Sequence, residues 1–366
     1  MSDIKHLARG TVQALTPYLS ARRIGGKGDV WLNANEAPDC SEYQLDSSNL
    51  NRYPEFQPPT LIQAYADYAS INGASISPEQ VLTSRGADES IEILIRTFCE
   101  PASASTSGDS ILICPPTYGM YAISAETCGV QVDQVALDTH FDVDYVAVEQ
   151  AVNAPNSQVK IVFLCAPNNP TGNMLDKAKL VDLLHAAKGK ALIVADEAYI
   201  EFCPTLSQAD LINNHENLVI TRTLSKAFAL ASIRCGFTLA QASVIEMMSK
   251  VIAPYPVPDP VAQIATQALS IQGLEVMRER VAILNNNRMV LANSLQQLDC
   301  VTELFPATGN FVLVRFTDAK KVWQAFSENG VIMRDFASKD RLENCIRITI
   351  GNIDEMQVTL KILNSL

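Results

Sequence analysis

No two cysteines of this chain stand at C-x-x-C spacing, and the nine it has, spread from Cys40 to Cys345, make an odd count. That weighs against a disulfide framework and favours the reduced thiols of a cytosolic protein. Histidine is scarce: His6, His140, His185 and His215 never recur at the intervals of a zinc site, so no metal is expected. No apolar run approaches the length that spans a bilayer, and the opening MSDIKHLARG lacks the apolar core of a secretory signal, which points to the cytoplasm. Positive charge is in deficit. A formal net charge of −12 repels phosphate backbones and anionic lipid, so neither nucleic acid nor a membrane surface is an expected partner. An anionic substrate would have to be held by a few placed arginines.

What the chain does have is apolar residues, 48% of 366, enough for more than one core and hence for one large and one smaller domain. Residues 221–236, TRTLSKAFALASIRCG, set a single lysine, Lys226, among small and apolar neighbours just after the strand-like run 218–220. Burial lowers a lysine pKa and frees the lone pair to condense with an aldehyde. Taken alone, a lysine at a strand-to-helix turn reads first as a surface residue. Arg234 shifts that balance, because its planar fork suits a phosphate, and the pair fits a cofactor carrying both an aldehyde and a phosphate.

Three apolar runs end alike. Residues 159–164 lead to Asn168-Asn169-Pro170-Thr171-Gly172, 191–195 to Asp196-Glu197-Ala198-Tyr199, and 218–220 to Thr223-Leu224-Ser225-Lys226. Ligands of open α/β sheets collect beyond the carboxyl ends of the strands, so amide, carboxylate, phenol and amine are expected to converge there. Earlier, Gly86-Ala87-Asp88 opens a helix after Val81-Leu82, where unpaired N–H groups and the positive dipole end favour a phosphate. A Gly-x-Asp sequence also caps helices for structural reasons alone. Gly25, Gly26 and Gly28 follow no strand and complete no nucleotide motif, and read as a hinge. A helical tract is expected from Val261 to about Leu298, then an α+β lobe with strands at 301–305, 311–316 and 346–350 and helices at 319–329 and 354–365. Arg334 and Arg347 sit in apolar strands of that lobe, where a guanidinium needs an anion; a local salt bridge is the plain alternative.

Ser225-Lys226 with Arg234-Cys235-Gly236 resembles the S-K…R-x-G signature of the fold-type I pyridoxal-phosphate enzymes, the aspartate aminotransferase-like superfamily. The likeness runs over nearly the whole chain and, with Thr16-Pro17-Tyr18, 84–89 and 196–202, narrows to the aminotransferases of histidine biosynthesis. It implies an α/β fold: a large cofactor-binding domain, 30–265, with a mostly parallel sheet flanked by helices, and a smaller α+β domain, 266–366, with an N-terminal arm, 1–29. Pyridoxal 5'-phosphate is the implied cofactor, with Lys226, Asp196 and Tyr199 as the catalytic set. Asp196 would keep its ring nitrogen protonated, Asn169 and Tyr199 would bond its phenolic oxygen, and Tyr118 would stack on its ring. Gly86, Ala87, Asp88, Thr223, Ser225 and Arg234 would take its phosphate, joined by Tyr53 from a second copy, which makes the protein a homodimer.

Arg347 would bind the substrate carboxylate and Arg334 a second anion, with Tyr18 and Asn35 completing the pocket. The implied reaction exchanges the amino group of L-histidinol phosphate with 2-oxoglutarate, giving imidazole acetol phosphate and L-glutamate. Pro258-Asp259-Pro260 departs from the family, which often has Ser or Thr there, so that loop carries less. Rival readings within the superfamily are an amino-acid-phosphate decarboxylase and an aromatic or broad aminotransferase. A non-catalytic regulator on the same fold is a third, and the chain has no basic N-terminal extension to serve it.

Overall fold

The computed structural model describes residues 4–16, 27–103, 105 and 107–366. Twelve strands fall in these: β1 (Val30–Leu32), β2 (Val81–Ser84), β3 (Ser110–Ile113), β4 (Gln131–Gln134), β5 (Val159–Cys165), β6 (Leu192–Asp196), β7 (Leu218–Thr223), β8 (Gly236–Ala240), β9 (Val301–Leu304), β10 (Phe311–Phe316), β11 (Val331–Asp335) and β12 (Cys345–Thr349). They form a seven-stranded sheet in the order β2-β8-β7-β6-β5-β3-β4 and a five-stranded sheet in the order β1-β11-β12-β10-β9. In the larger sheet every pairing from β7 to β4 is parallel, and only β8 runs against its neighbours.

The central strands read as near-continuous apolar runs because both faces of the large sheet are covered. Alternation divides them: Ile161 and Phe163 pack with Ile91, Leu94 and Tyr121 on one side, while Val162 and Leu164 pack with Leu180 and Leu184 on the other. The second side continues into the smaller sheet, through residues such as Phe311, Val312 and Ile348. One charge is buried in β7. Arg222 survives there because Glu197 faces it at 2.8 Å, with neither side chain more than 5% exposed.

Two expectations differ from the structure. The tract from Val261 is not one helix but two, Asp259–Ala268 and Ile271–Leu295, because the Ser270 side chain accepts the N–H of Gly273 and starts the second helix afresh. The short strand β1, just after the arm, hydrogen-bonds in parallel to β11 and so lies in the smaller sheet, carrying residues 33–36 across to the larger one.

Candidate active site

Register places the ends of the three central strands side by side: Cys165 pairs with Asp196, and Asp196 with Thr221. Residues that follow those ends therefore share one cleft. Asp196, the last residue of β6, is 2% exposed, and its two oxygens accept from Tyr121 Oη at 2.6 Å and from the Ala198 N–H at 3.2 Å. Burial pushes this carboxyl up to about 6, against the pull of its donors.

Tyr199 is buried three residues on. Its hydroxyl accepts from Asn35 Nδ2 at 3.0 Å and Asn169 Nδ2 at 3.3 Å, and its ring meets Phe311 edge-on. Asn169 turns its carbonyl oxygen to Arg347 Nη1 at 2.6 Å, and Arg347 Nη2 donates to the Asn33 carbonyl at 2.7 Å. The amide thus ties a phenol of the large sheet to a guanidinium of the small one. Lys226 is half-buried, donates from Nζ to the Ala34 carbonyl at 2.9 Å, and lies 5.5 Å from the centre of the Tyr199 ring. Burial first, and the nearby charge of Arg347 second, push its pKa down to about 8.

A second group gathers at the head of the helix Ala87–Phe98. Gly86 precedes it at φ 86°, the left-handed region open to glycine, and a Cβ on Gly86 would stand 2.7 Å from Arg234 Nη2. Arg234 donates to Ser225 Oγ at 3.3 Å and to Asp88 Oδ2 at 3.2 Å, and Asp88 Oδ1 accepts from Tyr118 Oη at 2.9 Å. Thr223 Oγ1 lies 2.9 Å from Ser225 Oγ. Gly236 closes the floor: a Cβ there would come within 2.4 Å of the Gly86 carbonyl carbon. Glycine at both positions lets two backbone segments and a guanidinium approach closely beside hydroxyls and helix-start N–H groups, which is the chemistry a phosphate needs.

The smaller sheet adds a double positive charge. Arg334 of β11 and Arg347 of β12 are directly paired across adjacent strands, so both side chains leave the sheet on the same face. Asn35, at φ 53°, is gripped by that lobe: its N–H donates to Thr349 Oγ1 at 3.0 Å, and its carbonyl accepts from Asn310 Nδ2 at 3.0 Å.

Among the residues singled out in the sequence, Lys226, Tyr199, Asn169, Asn35 and Arg347 form one connected cluster, with Asp196 three residues before Tyr199 and bonded to Tyr121. Gly86, Ala87, Asp88, Tyr118, Thr223, Ser225 and Arg234 form the second, beside it. Arg334 joins through its register with Arg347. Tyr53 stands apart, 81% exposed and stacked on Tyr255 with ring centres 4.5 Å apart. Tyr18 lies outside the described residues. Sequence reasoning passed over Tyr121, Asn310 and Thr349. Tyr121 carried no signal of its own: it is the second residue of the helix Met120–Cys128, and Tyr118 precedes that helix.

The residues of these two clusters suit pyridoxal phosphate by their chemistry. A buried carboxylate with a raised pKa favours a cationic nitrogen, the glycine-walled helix start favours a phosphate, and an amine poised near pH 8 favours an aldehyde.

The model of the family described as aminotransferase class I and II matches residues 27–363. A histidinol-phosphate aminotransferase of Aeromonas salmonicida is 56% identical over 361 residues, covering 99% of this chain and 98% of that protein. Among solved structures, the histidinol-phosphate aminotransferase of Sinorhizobium meliloti in complex with pyridoxal-5'-phosphate superimposes with a TM-score of 0.81 at 21% identity, covering 98% of each chain. The histidinol-phosphate aminotransferase of Clostridium acetobutylicum gives a TM-score of 0.79 at 24% identity, covering 92% of this chain and 100% of that one.

Proposed function

The chain belongs to the histidinol-phosphate aminotransferases, within the class I and II aminotransferases, and on that premise we propose that it moves the amino group of L-histidinol phosphate to 2-oxoglutarate. The products are imidazole acetol phosphate and L-glutamate. Pyridoxal phosphate, when bound, supplies an aldehyde to take up the amino group and a protonated ring that draws electrons from the carbon losing its proton. Gly86, Ala87, Asp88, Thr223, Ser225 and Arg234 would hold its phosphate, Tyr199 and Asn169 its phenolic oxygen, Tyr118 its ring and Asp196 its ring nitrogen.

The chain's own part is positional and electrostatic. Lys226 Nζ, with its pKa near 8, is the base that takes the proton from the substrate carbon bearing the amine and returns one in the reverse half-reaction. Asp196 holds a cation that water would let go, because burial makes an unpaired carboxylate costly. Asn169 keeps Arg347 and Tyr199 at fixed separation, so an anion bound at Arg347 is registered against the reacting carbon.

The observation that carries the substrate assignment is the pairing of Arg334 with Arg347 on adjacent strands. Like charges set opposite each other are destabilising, and a site whose substrates alternate between a phosphate and carboxylates gives the pair its use. Arg334→Ala is expected to lower kcat/KM for histidinol phosphate about 100-fold, the worth of a charge-assisted hydrogen-bond pair, and that for glutamate about tenfold or less. Single-turnover rates of each half-reaction measure the two. Equal losses, or release of carbon dioxide from an amino-acid phosphate in place of amino transfer, would overturn the assignment.

We also propose a homodimer in the cytoplasm. Within the segment 45–56, Leu45, Leu50, Tyr53 and Phe56 are all exposed in the single copy, which supports a second copy covering that segment. All nine cysteines are free, and no helix of the described residues is long and apolar enough to cross a membrane.

A further inference from the structure

Tyr121 is the second residue of the helix Met120–Cys128 and is fully buried. Its ring stacks on Phe163 of β5, with centres 4.8 Å apart and planes 8° apart, and stands edge-on to Tyr118 at 5.6 Å and 84°. The hydroxyl has the Cys165 thiol near it as well as the Asp196 carboxylate. It donates to Asp196 Oδ2 at 2.6 Å, while the other carboxylate oxygen takes the Ala198 N–H at 3.2 Å. Short O–H···O⁻ bonds of this kind are the stronger class of hydrogen bond, and a buried carboxylate stays ionised only where such donors address it.

We propose that Tyr121 is a positioning residue for the transamination: its hydroxyl keeps Asp196 ionised and aimed at the cofactor's ring nitrogen, and its ring ties that aim to the placement of Tyr118. The inference rests on the function proposed above. One aromatic side chain, locked by Phe163, thereby connects the residue at the ring's face with the residue at its nitrogen. Burial pushes Asp196 up, and the Tyr121 donor pulls it back toward the charged form. The other titratable groups acting on Asp196 are Cys165 on the adjacent strand, Asp88 at the head of the helix Ala87–Phe98, and Tyr199 beyond the end of β6.

The test reads Asp196 directly in the apoprotein labelled with carboxyl-13C aspartate, its resonance assigned by its loss in Asp196→Asn. Tyr121→Phe keeps the stacked ring and removes the donor, and is expected to raise the Asp196 titration midpoint by about one pH unit, the worth of one tenfold bias. Replacing Tyr121 by 3-fluorotyrosine keeps the shape and strengthens the donor, and is expected to lower the midpoint. The dissociation constant of pyridoxal phosphate should rise about tenfold on Tyr121→Phe in the parent protein, and less than about twofold in the Asp196→Asn background, since the effect passes through that carboxylate.

A midpoint unmoved by both replacements, or equal weakening in the two backgrounds, would reduce Tyr121 to a packing residue. If Tyr121→Phe fails to fold, the 3-fluorotyrosine protein decides the matter: a lowered midpoint supports the role and an unmoved one overturns it. Because the titration needs no cofactor, failure to bind pyridoxal phosphate would strike the transaminase reading and leave the Tyr121–Asp196 coupling separately decided.

Discussion

Lys226 holds its proton less firmly than a lysine in water chiefly because its amine is taken out of solvent, with Arg347 adding like charge; Asp88 and Glu36 pull the other way. Below pH 8 folded and unfolded chains both carry the proton, and the native state bears the full cost of it. Between about 8 and the ordinary value of about 10.4 the folded chain releases its proton first, so this residue's contribution to stability improves as pH rises. The same shift governs reactivity. The rate at which apoprotein takes up pyridoxal phosphate, followed by its absorbance, should climb with pH to a midpoint near 8 and vanish in Lys226→Ala. A rate flat from pH 7 to 9 would mean that the proton on Lys226 is not what limits capture. Glu201 shows the opposite sign. Its Oε1 accepts from Tyr68 Oη at 3.3 Å, its Oε2 has no partner among the described residues, and burial pushes the carboxyl up to about 7. Stability from this group is present below the ordinary value of about 4.3 and lost as pH rises through 7. Glu201→Gln removes the buried charge and should raise stability by about 1–3 kcal/mol at pH 8.5, with little change at pH 5, as read from urea midpoints.

At the scale of elements, the cleft was legible because its strands are apolar along their whole length and turn polar together at their carboxyl ends. Burial of every residue of β5 except Lys160 is what wrote 159–164 as a strand, and the parallel register is what brought its end level with Asp196 and Thr221. The glycine turn at 86 was legible for the same kind of reason, a helix start with no side chain in the way. Tyr121 was not, since a buried tyrosine that holds a carboxylate looks in sequence like any core aromatic. The membership of β1 was hidden too: three residues carry no period long enough to say which sheet they join, and the partner strand lies some 300 positions away. Nor does composition reveal that Ser270 interrupts a helix whose apolar pattern runs on across the break. Gly236 tests whether the cradle is as tight as its backbone suggests. A Cβ there meets the Gly86 carbonyl carbon at 2.4 Å and the Ala87 nitrogen at 2.6 Å, whereas one on Gly119 meets nothing within 4 Å. Gly236→Ala should therefore weaken pyridoxal phosphate binding at least about tenfold and lower stability by about 1–3 kcal/mol, and Gly119→Ala should change either by little. Equilibrium dialysis and thermal unfolding of the two variants would separate a tight cradle from a loose one.

The whole molecule brings two sheets to one cleft and still leaves one predicted contact out of reach of its own chain. Tyr53 stacks on Tyr255 at the surface, beside a cleft about 540 Å³ in volume lined by Arg52, Pro54, Asp259 and Gln263, and does not reach Arg234 or Ser225 of the same copy. If the homodimer supplies it, each site combines Lys226 of one subunit with Tyr53 of the other, and two differently damaged chains can repair one another. A subunit carrying Lys226→Ala has no competent amine but offers an intact Tyr53. One carrying Tyr53→Ala keeps its amine and lacks a hydroxyl at its partner's phosphate. In a mixed dimer the second subunit's Lys226 meets the first subunit's Tyr53, so one site of the two is whole, while the other has lost both. Random re-association of equal amounts makes about half of the dimers mixed, so activity should recover to about a quarter of the wild-type level per site at limiting pyridoxal phosphate. The comparison is with the unmixed variants, the Lys226→Ala protein being inactive and the Tyr53→Ala protein needing about tenfold more cofactor for saturation, as expected for loss of one hydrogen bond to a charged group. Mixing that yields only the average of the two would place Tyr53 in no neighbour's site, and the stacked pair with Tyr255 would then be a surface contact and nothing more.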